Sequence, residues 1–109
     1  MTLNHSSLLQ SPLFQEGYEK AVEILHACAT DSGFLASPTW KDNYRRIWAR
    51  DGVVIGMAGL LIRDTALVEA MKQTLQTLAD HQGPHGEIPS NVDTASGRVD
   101  ADLWSRFWV

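Results

Sequence analysis

Apolar residues along the chain fall into three blocks of different character. In the first block they recur at Leu13, Phe14, Tyr18, Ala21, Val22, Leu25 and Cys28, with Glu16, Glu19, Lys20 and Glu23 between them. That is helical spacing. Ser11-Pro12 supplies a capping residue and a proline tolerated at the first helical position. The helix is expected to end near Thr30, before Asp31-Ser32-Gly33, and the ten residues ahead of it are expected to be loose.

The second block, Asp51 to Ile62, carries Val53, Val54, Ile55, Met57, Ala58, Leu60, Leu61 and Ile62 and has almost no polar face. A helix apolar all round is expected to be buried on every side, as an inner helix of a larger assembly. The third block, Thr65 to Asp80, is one-sided. Leu67, Val68, Met71, Leu75, Leu78 and Ala79 alternate in helical phase with Glu69, Lys72, Gln73, Gln76 and Thr77, and Asp64 stands where an N-cap belongs. Residues 31–47 read as a connection, and so does Gln82 to Gly97, rich in glycine and proline. A fourth helix is expected to start near Asp100. No stretch alternates convincingly as a strand, so the expected fold class is all-α.

Composition changes this picture little. With 44% apolar and 20% charged residues over 109 positions, the chain suits one small globular domain. The net charge of −4 and the lack of any basic cluster beyond Arg45-Arg46 argue against nucleic acid as a partner. The apolar run from Val53 to Ile62 is too short to span a membrane, and the first residues do not form a signal peptide. One cysteine, Cys28, permits no internal disulfide and is expected to be a small core residue. A cytoplasmic protein is expected. His81 and His85 lie close together but have no third ligand at a sensible spacing, so neither a metal nor another cofactor is expected.

Three segments mix carboxylates with aromatic and polar groups: Tyr44 to Asp51 (YRRIWARD), Gly86 to Asn91 (GEIPSN) and Val99 to Trp104 (VDADLW). Asp and Arg offer the bidentate hydrogen bonds that sugar hydroxyls take. Aromatic rings stack on sugar faces, and glycosidic cleavage takes two carboxyl groups. Each segment also has a plain structural reading. Asp51 can be the N-cap of its helix, Arg50 can be a surface residue paired with an Asp, Glu87 can be a solvated charge in a turn, and Asp100 or Asp102 can be a first-turn acid.

Trp48-Ala49-Arg50-Asp51 resembles the W-x-R-D motif of six-hairpin (α/α) glycosidases of the glucoamylase and glycogen-debranching kind. The resemblance extends over about residues 33–104, through an apolar helix, an amphipathic helix, the Gly86-Glu87-Ile88-Pro89 loop and the Val99-Asp100-Ala101 segment. It implies a partial toroid of three helices and a stub, with residues 1–10 loose and 11–109 forming the first part of a barrel. It implies an oligosaccharide or α-glucan substrate held by Tyr44, Trp48, Arg50, Asp51 and Glu87, with Asp100 as candidate general acid. In such families the catalytic base belongs to a later part of the barrel, so this chain alone is expected not to turn over substrate. Two alternatives stand beside hydrolysis: another six-hairpin enzyme such as a phosphorylase, epimerase or lyase, and a non-catalytic module that binds sugar or a partner through its aromatic loops. The exposed flank of the apolar helix is expected to drive self-association.

Overall fold

A computed structural model describes residues 5–39, 41 and 44–100. The chain is helix-rich, but it is not all-α. Among the described residues there are four helices, α1 (His5–Leu9), α2 (Pro12–Cys28), α3 (Ala49–Ile62) and α4 (Thr65–Asp80), and five very short strands. These are β1 (Ala29–Thr30), β2 (Gly33–Phe34), β3 (Ile47–Trp48), β4 (Asn91–Asp93) and β5 (Arg98–Asp100). The strands form two antiparallel sheets, β1-β2 and β3-β4-β5, and the bridge Leu35–Ile47 links one to the other. Both segments read as connections therefore contain strands. Asp100 closes β5 rather than opening a helix. The expected helical stub and Asp102 lie outside the described residues, and α1 occupies part of the stretch expected to be loose.

Helix α2 stops at Cys28, two residues before the expected end, because Ala29 and Thr30 turn extended to pair with Phe34 and Gly33. Cys28 is buried, as expected, in a cluster with Phe34, Leu35, Ile47, Leu67 and Ala70. Burial pushes its thiol pKa up, with Arg45 opposing. A second cluster joins Ala49, Leu78 and Val92. Much of the apolar stripe of α2 faces solvent, with Leu13, Phe14 and Tyr18 exposed.

Helices α3 and α4 form a hairpin around Arg63-Asp64. Arg63 sits in the left-handed region at φ 56°, and its N–H bonds to Leu60 O at 3.2 Å while Asp64 N–H reaches Gly59 O at 3.3 Å. These are the two paired bonds of a Schellman ending. Asp64 then caps α4, its Oδ1 accepting from the Leu67 N–H at 3.1 Å, as its position in the sequence predicts. Its Oδ2 meets His26 Nε2 of α2 at 2.8 Å.

The expectation that α3 is buried on all sides is wrong for this structure. Its buried positions are Ala49, Gly52, Gly56 and Gly59, whereas Val54, Met57, Leu60 and Leu61 are exposed, Leu61 by 83%. The glycines make a flat stripe against α4. A Cβ on Gly52 would come within 2.5 Å of Thr74 Cγ2, on Gly56 within 2.6 Å of Met71 Cγ, and on Gly59 within 2.8 Å of Leu67 Cβ. The small residues decide which face packs, and the larger apolar ones are left on the opposite face.

Thr74 ties α4 to β2. Buried on α4, its hydroxyl accepts from the Phe34 N–H at 2.8 Å and donates to Ala70 O at 2.9 Å. One turn on, Thr77 Oγ1 donates to Ser32 O at 2.6 Å, which pins the β1-β2 turn to the same helix.

Three stability outcomes follow. Thr74→Val keeps the shape but strands the buried Phe34 N–H. Unfolding in urea should show a loss of about 1–3 kcal/mol, and a loss below a few tenths would remove the bond from the argument. Arg63→Gly relieves a left-handed side chain, so the same measurement should show a gain of about 0.5–1 kcal/mol. The carboxyl of Asp64 is held below its ordinary 3.8, chiefly by the Leu67 N–H, against a smaller desolvation effect, with His26 assisting. A lowered folded-state pKa means that its stabilisation is present above the unfolded value and lost as pH falls through the folded one. The advantage of the wild type over Asp64→Ala should hold between neutrality and about pH 5 and shrink below about pH 4. A difference that stays constant to pH 2 would assign the effect elsewhere.

Candidate functional site

The three-residue step from strand to helix builds the site. Ile47 and Trp48 pair with Val92 and Asn91, and the Ala49 N–H donates to Ser90 O at 2.9 Å. The chain then enters α3 at once, so Arg50 and Asp51 fall in its first turn. Trp48, extended at φ −100° and ψ 132°, holds the N-cap position. Asp51 is thus not the N-cap. It is a first-turn acid, where the positive end of the helix favours a carboxylate.

Local geometry groups the side chains. The Arg50 guanidinium lies 5.9 Å from the Trp48 ring centroid, within cation–π range, and its Nη2 stands 3.6 Å from Asp51 Oδ2. Across from them the backbone of Tyr44 is fixed by the loop, its carbonyl accepting from the N–H groups of Ala36 at 3.0 Å and Ser37 at 3.4 Å. Tyr44, Trp48, Arg50 and Asp51 line one open cleft of about 290 Å³, completed by Ala36 and Ser37. Ligand sites run from roughly 300 to 1,000 Å³, so this one is at the small end. Two larger depressions, of about 450 and 470 Å³, carry Asp31 with Glu69 or with Arg45 and Asp93, but no aromatic ring.

Four of the five residues proposed from sequence to hold substrate therefore come together, and Glu87 does not join them. Its Oε2 accepts from the His85 N–H at 2.8 Å and its carbonyl from the Gly83 N–H at 2.8 Å, so it clasps its own turn. Asp100 is also outside the cleft lining. Its Oδ2 accepts from Arg46 Nη1 at 3.1 Å, and the same nitrogen donates to Asn91 Oδ1 at 3.1 Å. The Asp100 carbonyl accepts from both the N–H and the hydroxyl of Ser90, at 2.6 and 3.0 Å.

Sequence reasoning missed Ser37, Arg46 and Asn91. Asn91 is buried beside Ser90, its Nδ2 donating to Ser90 Oγ at 3.1 Å. A polar Ser-Asn pair after Pro89 was the signal that a buried polar link follows the turn. Among the described residues no three His, Cys, Asp or Glu side chains gather as a metal site, and no helix is long and apolar enough to cross a membrane.

No protein-family model, curated protein or solved structure matches the chain.

Proposed function

We propose that the cleft beside Trp48 is a carbohydrate subsite of the six-hairpin glycosidase kind, recognising an α-glucoside in a cytoplasmic protein. One observation carries the reading: Tyr44, Trp48, Arg50 and Asp51 line a single open cleft. Two rings offer apolar faces to sugar C–H groups. The Asp51 carboxylate accepts from paired hydroxyls, and the Arg50 guanidinium donates to ring or hydroxyl oxygens. The α3–α4 hairpin supports the same reading of the fold. A toroid is assembled from such helical pairs, and the uncovered face of α3 suits an inner helix with neighbours on both sides.

Hydrolysis is a separate question. Glycosidic cleavage takes two carboxyl groups on either side of the scissile bond. Among the described residues Asp51 is the one carboxylate that lines the cleft, while Asp100 is engaged by Arg46. This favours binding without turnover by this chain, which is also what the non-catalytic module predicts.

Titration of the full chain with maltose and maltotriose, followed by tryptophan fluorescence, tests the proposal. Saturable binding in the millimolar range is expected, and Trp48→Ala and Asp51→Asn should each weaken it at least about tenfold, equivalent to ~1.4 kcal/mol. Glu87→Gln should bind as the wild type does, and no reducing sugar should be released. A flat titration, or equal weakening by Glu87→Gln, overturns the subsite. Release of glucose would restore the hydrolase reading.

A further inference from the structure

Alternation along the three-stranded sheet sorts its side chains onto two faces. Ile47 pairs with Val92, and Val92 with Val99, so these three share one face, on which Ile47 and Val92 are fully buried. Trp48 pairs with Asn91, and Asn91 with Asp100, which puts those three on the other face. Arg46 stands two residues before Trp48, and its bonds show it on that same face. Its Nη1 donates to Asn91 Oδ1 and to Asp100 Oδ2, both at 3.1 Å, so one nitrogen joins three segments of the chain. Arg46 is not among the residues that line the cleft.

What that nitrogen holds is the base of Trp48. Strand β3 brings only two residues to the sheet, so backbone pairing alone fixes it weakly. Trp48 lies between two further ties to the stretch Ser90-Asn91. Ahead of it the Arg46 guanidinium reaches Asn91, and behind it the Ala49 N–H donates to Ser90 O at 2.9 Å. Asn91 is only 2% exposed, and among the described residues Arg46 is the donor to its side-chain oxygen. The other end of the same amide is engaged with Ser90 Oγ at 3.1 Å, so the group does not turn over without breaking a second bond. Without Arg46 a buried acceptor is left unmet, and the strand relieves it only by shifting toward water. The indole stands on the strand paired with it. A binding ring is useful only when its supports hold it to within roughly 0.5 Å.

We infer that Arg46 is a positioning residue for the cleft: by bonding to Asn91 and Asp100 it fixes the sheet on which the Trp48 ring stands. The positional claim stands on the sheet alone. Its consequence for binding rests on the carbohydrate reading of the cleft.

Fluorine NMR of the full chain labelled with 5-fluorotryptophan tests the position without any ligand, and maltose titration tests the consequence. The chain has four tryptophans, and the Trp48 signal is the one missing from Trp48→Phe. Arg46→Met keeps the apolar stem and removes the donor. It should shift or broaden the Trp48 signal and weaken maltose binding at least about fivefold. Because one nitrogen makes both bonds, a lysine ammonium can replace it. Arg46→Lys should therefore return the signal toward its wild-type position and the affinity to within about twofold. Asp100→Ala, at a side chain that is 65% exposed, removes one of the two acceptors and should move the same signal by a smaller amount. A Trp48 signal unmoved by Arg46→Met overturns the inference; where that variant does not fold, an unmoved signal in Asp100→Ala does so. A signal as far displaced in Arg46→Lys as in Arg46→Met also overturns it, since the bonds are then not what Arg46 contributes. If the wild type itself does not bind maltose, the carbohydrate reading fails, while the fluorine signals still decide whether Arg46 positions Trp48.

Discussion

The fold rests on how closely α4 approaches its neighbours at Thr74. That side chain meets Gly52 of α3 on one side and Gly33 of β2 on the other. At Gly33 the approach is to backbone as well: an added Cβ would lie 2.6 Å from Thr74 Cα and 2.8 Å from its N, and the residue sits at φ +124°. No side chain fits there, in space or in conformation. The contact is also polar, since the threonine hydroxyl satisfies the Phe34 N–H that the short β1-β2 pairing leaves buried. Without that hydroxyl, strands of two residues have little to fix them. The threonine thus does for β2 what a neighbouring strand would do in a wider sheet.

The glycine stripe explains why α3 misleads as a sequence. Judged by polarity it has no outside, and burial all round is the natural reading. Packing follows shape as well as polarity. Gly52, Gly56 and Gly59 at spacings of four and three residues let the α4 side chains come down onto the helix backbone. The larger Val54, Met57 and Leu61 then point away. The helix is held by its smallest residues, and its most apolar face is left to be covered by something else.

What could be read in advance follows the length over which a signal accumulates. Helix α4 repeats its pattern over 16 residues and has a cap at Asp64, and both its limits are legible. Strands of two or three residues cannot display alternation, so β1 to β5 leave no periodic trace. The β4-β5 hairpin had one weak sign: Val92 and Val99, which pair, flank a polar stretch ending in Gly97 at φ +75°. The cleft was legible where its residues are adjacent in the chain. Trp48, Arg50 and Asp51 come together through a strand–helix junction only three residues long. Tyr44 joins them because the preceding loop folds back through Ala36 and Ser37. Glu87 and Asp100 depend on long-range pairing, and local pattern carries no information about where such residues land.

That pairing also couples the cleft to the far edge of the sheet. Arg46 precedes β3 by one residue, and its guanidinium reaches across to Asn91 on β4 and Asp100 on β5. Ser90 adds two bonds to the Asp100 carbonyl, while the Ser90 carbonyl accepts from the Ala49 N–H at the start of α3. A continuous polar path therefore runs from the last residue of β5 to the helix turn that carries Arg50 and Asp51. Asp100 influences the site by holding the strand under it rather than by facing a ligand. Its loss would act first on the order of β5, and only through the sheet on the cleft. An acid that anchors the scaffold and an acid that faces the ligand have different surroundings here. Asp51 stands beside one cation in an open cleft, and Asp100 is tied through Arg46 and Ser90 to two strands at once.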